Sequence, residues 1–145
     1  MRAAYVVPVR NPLEVARSLE SRGDMPVADG LALWLAYMQR VEQFIASAGA
    51  RAIHVRYADL LDDWRSVIGR IAMRLDVPLA TAPHAAEVDR FVEDGLRNQH
   101  ASDADLDANL REFTGDAIRA LYKDLLAQCE RDAHSVTRAT LAASG

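Results

Sequence analysis

Residues 3–9 read AAYVVPV, an unbroken apolar run. A strand with one wet face alternates apolar and polar side chains. A continuous run of this length is expected of a strand covered on both faces in a parallel sheet. Pro8 suits the exit of such a strand, where ladder bonds are ending. The next residues, Arg10-Asn11-Pro12-Leu13-Glu14, read as a helix start. Asn11 is a favoured N-cap, Pro12 suits the first helical position, and Glu14 stands where a capping-box carboxylate reaches back. The helix should carry Val15, Ala16 and Leu19 against the sheet and end near Arg22-Gly23. A buried strand running straight into a helix points to the α/β class.

Downstream, 26–48 reads as a long helix with Leu31, Leu35, Met38, Val41 and Ile45 on one side. Trp34, Tyr37 and Phe44 widen that apolar face, and Gly49 is a good stop. Residues 51–57 (RAIHVRY) alternate and read as a second strand. Asp62 or Asp63 can cap a third helix whose buried stripe is Val67, Ile68, Ile71, Ala72 and Leu75, ended by Asp76-Val77-Pro78. Beyond Pro78 the texture changes. Short helices are expected at 84–92 and 106–113, joined by the polar segment 93–105, and a longer one at 116–133. The small, polar tail 137–145 is expected to fray. The divisions are therefore 1–80, a helical region 81–136 of the same domain, and the tail. Two parallel strands do not make a free-standing sheet. Strand one either pairs with something outside this chain or belongs to a helical domain with a small sheet, and its apolarity favours the first.

The 145 residues fit one domain, and a formal net charge of −4 argues against broad nucleic-acid binding. All basic residues but Lys123 are arginines, so each arginine must be judged by its position. The lone cysteine, Cys129, lies at helical spacing from Leu121, Leu125 and Leu126 and reads as a buried apolar residue. The lack of a possible intramolecular disulfide fits a reducing, cytoplasmic location. No apolar run reaches the ~20 residues a membrane span needs, so no membrane partner is expected. His54, His84 and His134 have no metal-ligand spacing and read as structural or solvated.

Chemistry concentrates at Arg10 and Ser18. Arg10 leaves the strand just ahead of the Asn11 cap, and Ser18 lies seven residues after Asn11, nearly whole helical turns on. A guanidinium offers forked donors to a phosphate, and a serine hydroxyl adds another. For both to touch one dianion, it must lie alongside the first turns, unlike an anion seated over a helix end.

The segment from Val9 to Leu19, VRNPLEVARSL, closely resembles the 3′-phosphate-binding strand–loop–helix of sulfotransferases that use 3′-phosphoadenosine 5′-phosphosulfate. Arg10 and Ser18 match the Arg and the Ser eight positions later that hold the cofactor's 3′-phosphate in that family. The similarity extends through Leu33-Trp34 and Tyr37 to Arg56-Tyr57-Ala58-Asp59-Leu60-Leu61, which looks like the family's second-strand signature. It covers about the first 80 to 100 residues. The resemblance implies a partial P-loop-NTPase-like parallel sheet of two strands with a predominantly helical C-terminal region. It implies that Tyr57 approaches the adenine and that Asp59 orders the turn. Gly95-Leu96-Arg97-Asn98-Gln99-His100 is similar to a late Leu-Arg-His-type segment, implying that Arg97 returns to the nucleotide, although Asn98 departs from the pattern. Trp34 reads as core rather than substrate wall.

In the family a Gly-rich 5′-phosphosulfate loop and a catalytic base stand well ahead of the arginine, where this sequence has nine residues. The resemblance thus implies a C-terminal half that binds nucleotide without transferring sulfuryl. The intact protein would sulfate a hydroxyl or amine of a small molecule or glycan and release adenosine 3′,5′-bisphosphate. The chain would be a truncation, an expressed fragment or one half of a split enzyme, completed by an N-terminal half or a second copy. The alternative is a non-catalytic helical interaction or oligomerisation module in which Arg-Asn-Pro is only a well-capped helix start. A P-loop kinase fragment has no Gly-x-x-x-x-Gly-Lys-Ser/Thr to support it.

Overall fold

The computed structural model describes residues 3–23, 25–79, 82–95, 100–110 and 115–143. The fold is mixed α/β and mostly helical. Strand β1 (Ala4–Val9) is followed by α1 (Pro12–Gly23) and α2 (Val27–Ala48), then by β2 (Arg51–Arg56). Helices α3 (Tyr57–Asp62), α4 (Trp64–Leu75), α5 (Ala85–Gly95), α6 (Asp103–Asn109) and α7 (Gly115–Ala143) complete it, with a 3₁₀ turn at Ala82–His84. The strands pair in parallel, from Ala4 opposite Arg51 to Val9 opposite Arg56. The chain forms two compact units, each built from separate stretches of sequence.

The first unit comprises Met1–Val9, Ala50–Asn98 and Leu126–Gly145. Its core joins Ile53 and Val55 of β2 to Val67, Ile71 and Leu75 of α4, flanked by Ala4, Leu60 and Ile68. The α4 stripe is thus the one its helical spacing predicts. Asp63 accepts from the Ser66 amide to start α4, and Asp76, at φ 53°, closes it in the left-handed region. Trp64 Nε1 donates to Asp89 Oδ1 at 2.9 Å, and the Arg65 guanidinium forks onto both Asp89 oxygens at 2.8 and 2.7 Å, tying α5 to α4.

Two expectations change in this unit. Ile53, His54 and Val55 are all buried, so it is β2 that is covered on both faces. In β1, Val7 and Val9 are buried while Val6 and Pro8 are exposed. The two-residue period sends Val6 and Pro8 to the face opposite Val7 and Val9. Residue hydrophobicity alone does not distinguish those faces. Strand two also stops one residue early. Tyr57 opens α3, because Tyr57-Ala58-Asp59-Leu60-Leu61 holds neither glycine nor proline nor a β-branched residue against helix.

The second unit comprises Arg10–Gly49 and Gln99–Leu125. Helices α1 and α2 approach closely at Gly30, where a Cβ would stand 2.9 Å from the Ala16 Cα. Leu13, Ala16, Leu31, Trp34, Met38, Leu106, Ile118 and Leu125 are buried. The Trp34 and Tyr122 rings meet edge to face at 6.2 Å, joining α2 to the first part of α7. Gly49, at φ 55°, caps α2 by donating to Ala46 and Ile45 carbonyls. Tyr37 and Phe44 are exposed instead of widening the buried face, since that face is centred on Leu31, Trp34 and Met38. Helix α6 begins three residues earlier than its apolar pattern indicates, because Ser102 and Asp105 form a reciprocal capping box. Helix α7 runs on to Ala143, past residue 137 where a frayed tail was expected. The stretch from Thr137 to Ala143 is rich in alanine and contains no glycine or proline to stop it.

Candidate functional site

Strand β1 ends at Val9 and α1 starts at Pro12, leaving Arg10 and Asn11 as the turn between them. Asn11 is buried and uses both ends of its amide. Its Oδ1 accepts from the Leu13 amide at 2.9 Å, satisfying one helix-start donor, and its Nδ2 donates to the Ala101 carbonyl at 3.1 Å. Its own carbonyl accepts the first helical bond, from the Val15 amide at 3.2 Å. The cap predicted from Asn11-Pro12 is therefore present.

The capping box predicted for Glu14 takes another form. Glu14 Oε2 accepts from Arg10 Nε at 2.9 Å, and Oε1 accepts from the Ala101 amide at 3.0 Å. One carboxylate thus ties the guanidinium to a segment nearly ninety residues away. The Arg10 and Glu14 side chains are 20% and 15% exposed, dry enough for the contact to be directional. A guanidinium presents its N–H donors in a planar fork of the kind that suits phosphate.

Ser18 lies four residues after Glu14 and so on the same face of α1, one turn further along. It is half-buried. Glu14 and Ser18 therefore share one face of α1, with Arg10 bonded to Glu14 from the preceding turn and Ala101 docked at its start. Arg17 contributes to the electrostatics of Asp105 in the first turn of α6. That carboxyl is held below its ordinary value by hydrogen bonds from Ser102, with a smaller pull from Arg17.

Tyr57 is half-buried at the first position of α3, in the first unit. Arg97 lies outside the described residues. Of the four predicted site residues, Ser18 thus lies on α1 and Arg10 in the turn before it, bonded to Glu14 on the same helix. The docking of Ala101 was not legible in the sequence. Its partners are distant, and a backbone amide and carbonyl carry no signature of their own.

A second polar cluster lies in the first unit. Asp132 on α7 accepts from the His54 backbone amide at 2.8 Å, and the ring Nδ1 of His54 lies 3.3 Å from the same oxygen. Gln128 Nε2 donates to the other oxygen at 2.9 Å. Both His54 and Asp132 are 6% exposed, so the cluster is sealed. One turn away, burial pushes the Cys129 thiol up to about 12, with the Asp132 charge adding to the shift. A thiol so raised stays protonated and unreactive near neutrality. His54 reads as structural, as its place in the strand indicates, but Asp132 was not identified as its partner.

Among the described residues, no three His, Cys, Asp or Glu side chains are grouped to hold a metal, and no helix is long and apolar enough to cross a membrane. No family model, curated protein or solved structure matches the chain.

Proposed function

We propose that the strip carrying Arg10 and Ser18 binds the 3′-phosphate of a 3′-phosphoadenosine nucleotide, within a P-loop-NTPase-like nucleotide-binding fold of the sulfotransferase kind. One observation carries the reading. Glu14 holds Arg10 through Nε at 2.9 Å on the face of α1 that also bears Ser18. On this reading one anion alongside the helix takes both the guanidinium and the Ser18 hydroxyl. The natural ligands on this reading are 3′-phosphoadenosine 5′-phosphosulfate and its product, adenosine 3′,5′-bisphosphate, with a hydroxyl or amine as the eventual sulfuryl acceptor.

The test is a calorimetric titration with adenosine 3′,5′-bisphosphate and with adenosine 5′-monophosphate, which lacks the 3′-phosphate. The bisphosphate should bind more tightly. Arg10→Ala should weaken it about 10- to 100-fold and Ser18→Ala about 2- to 10-fold, as charged and neutral hydrogen bonds differ. Equal binding of the two nucleotides would overturn the proposal.

A second reading, a helical interaction module, is favoured by the exposure of Leu33 and Tyr37 four residues apart on α2, at 48% and 66%. Sedimentation of wild type and of Leu33→Glu/Tyr37→Glu discriminates it. Association lost in the double variant supports the module, and an unchanged monomer rejects self-association through this face.

A further inference from the structure

Helix α2 carries a second apolar face besides the one it buries on Gly30, Leu31, Trp34 and Met38. Leu33, Tyr37, Arg40 and Phe44 follow at spacings of four, three and four, the rhythm of a coiled-coil seam. By helical geometry they share a stripe about 60° wide. Leu33, Tyr37 and Phe44 are 48%, 66% and 49% exposed, and Arg40 is exposed too. Ala36 and Gln43, along one side of the stripe, are exposed and uncharged. The four positions are symmetric about the midpoint between Met38 and Gln39. Leu33 and Phe44 stand equally far from it on either side, and so do Tyr37 and Arg40. A second copy laid antiparallel across that point sets Leu33 on the partner's Phe44 and Tyr37 on the partner's Arg40. Twofold symmetry makes each contact twice. The guanidinium meets the tyrosine ring as a cation–π contact, while its stem covers apolar surface. A parallel copy instead sets Arg40 against Arg40, and the stripe holds no carboxylate to answer either charge.

We propose that α2 pairs with α2 of a second copy of this chain in an antiparallel, twofold-symmetric dimer. The inference rests on the second reading above, an interaction face on α2, and adds its occupant and its register. It does not depend on nucleotide binding. A Tyr or Phe side chain covers about 150–250 Å² when fully buried, so a half-exposed ring offers about 100 Å². With Leu33 and the Arg40 stem, the seam covers roughly 400 Å² on each copy, below the standard interface size. The dimer therefore belongs to the weak, exchanging class, with a dissociation constant on the order of 100 μM.

The experiment has two arms, both on the full chain. Sedimentation equilibrium up to about 1 mM should show a reversible monomer–dimer exchange. Leu33→Glu sets a carboxylate on the partner's Phe44 twice and should weaken the dimer at least about tenfold. Arg40→Ala, at an exposed position that favours helix, should weaken it about 3- to 10-fold through the two cation–π contacts. The second arm fixes the register with a spin label on Ala48→Cys, an exposed position outside the seam. Cys129 is buried with its thiol pushed up to about 12, so it stays unlabelled. The antiparallel register sets the two labels about 28 Å apart along the helix axes, by helical rise. Parallel helices would bring them to about 10 Å, the distance between packed axes. A dimer that Leu33→Glu weakens but whose labels lie at the short distance overturns the register and leaves the interaction face standing. A monomer at every concentration, or a dimer indifferent to both substitutions, overturns both.

Discussion

Glu14 and Asp132 do the same job in two different settings. Each is a carboxylate on a helix that receives a backbone amide far away in sequence, Ala101 in one case and His54 in the other. Each also receives a side-chain donor from a neighbour four residues off, Arg10 or Gln128. They differ in solvent. The Asp132 cluster is sealed, and its donors serve the fold. The Glu14 cluster keeps a guanidinium that is 20% exposed. A buried polar network is stabilising only when fully satisfied, whereas a half-open one can exchange a water for a ligand. On the proposed reading, the partly exposed cluster binds the anion and the sealed one anchors the fold.

The largest expected effect breaks the sealed cluster. Asp132→Ala removes the acceptor for a buried backbone amide, an imidazole and the Gln128 amide at once. Each donor left dry is costly, and the loss should reach about 3 kcal/mol in urea unfolding. Asp132→Asn keeps one acceptor oxygen and should lose about half as much. A loss below about 0.5 kcal/mol for Asp132→Ala would show that the cluster does not hold α7 to β2.

At the open cluster the loss should be smaller and should divide between stability and binding. Glu14→Gln retains an oxygen for the Ala101 amide but removes the charge that orients Arg10. Stability should fall by about 1 kcal/mol, the scale of a charge-assisted bond in a partly wet site. The preference for adenosine 3′,5′-bisphosphate over the monophosphate should change at the same time. Unfolding and titration on one sample measure both. If the preference stays at the wild-type value while stability falls, Glu14 serves the fold in the way Asp132 does, and the contrast between the clusters disappears.

Local chemistry was legible in the sequence, and long-range docking was not. The Asn11 cap, the Asp63 cap, the α4 stripe and the Gly49 stop depend on residues within one or two turns, and all are present. The Glu14 capping box failed because a carboxylate at that position had two alternatives, Arg10 on its own face and Ala101 brought in by the fold. The reading of β1 as covered on both faces failed because Val6 and Val7 are the same residue type on opposite faces. Ser102 with Asp105 is a capping signal that sits inside a stretch whose polarity reads as linker. The pairing of His54 with Asp132 joins β2 to α7, and no spacing rule connects residues that far apart.

The smallest expected effect concerns Arg17, which sits beside Ser18 in sequence but about 100° round the helix from it. Its electrostatic partner is Asp105, whose carboxyl lies below its ordinary value chiefly through hydrogen bonds from Ser102 and only secondarily through Arg17. A carboxyl lowered by folding contributes stability above its unfolded value, and that contribution is lost as pH falls through the folded one. Ser102→Ala should therefore raise the Asp105 titration toward the ordinary carboxylate range, weaken the α6 start and flatten the acid limb of the stability curve. Arg17→Ala should move the Asp105 titration only slightly. It should leave the ratio of bisphosphate to monophosphate affinity within about twofold of wild type, since an exposed charge pair contributes little. Side-chain NMR of Asp105 and the same nucleotide titrations read both. A loss of preference in Arg17→Ala as large as in Arg10→Ala would mean that the anion responds to the general basic character of α1, and the strip defined by Arg10, Glu14 and Ser18 would have no special place in binding.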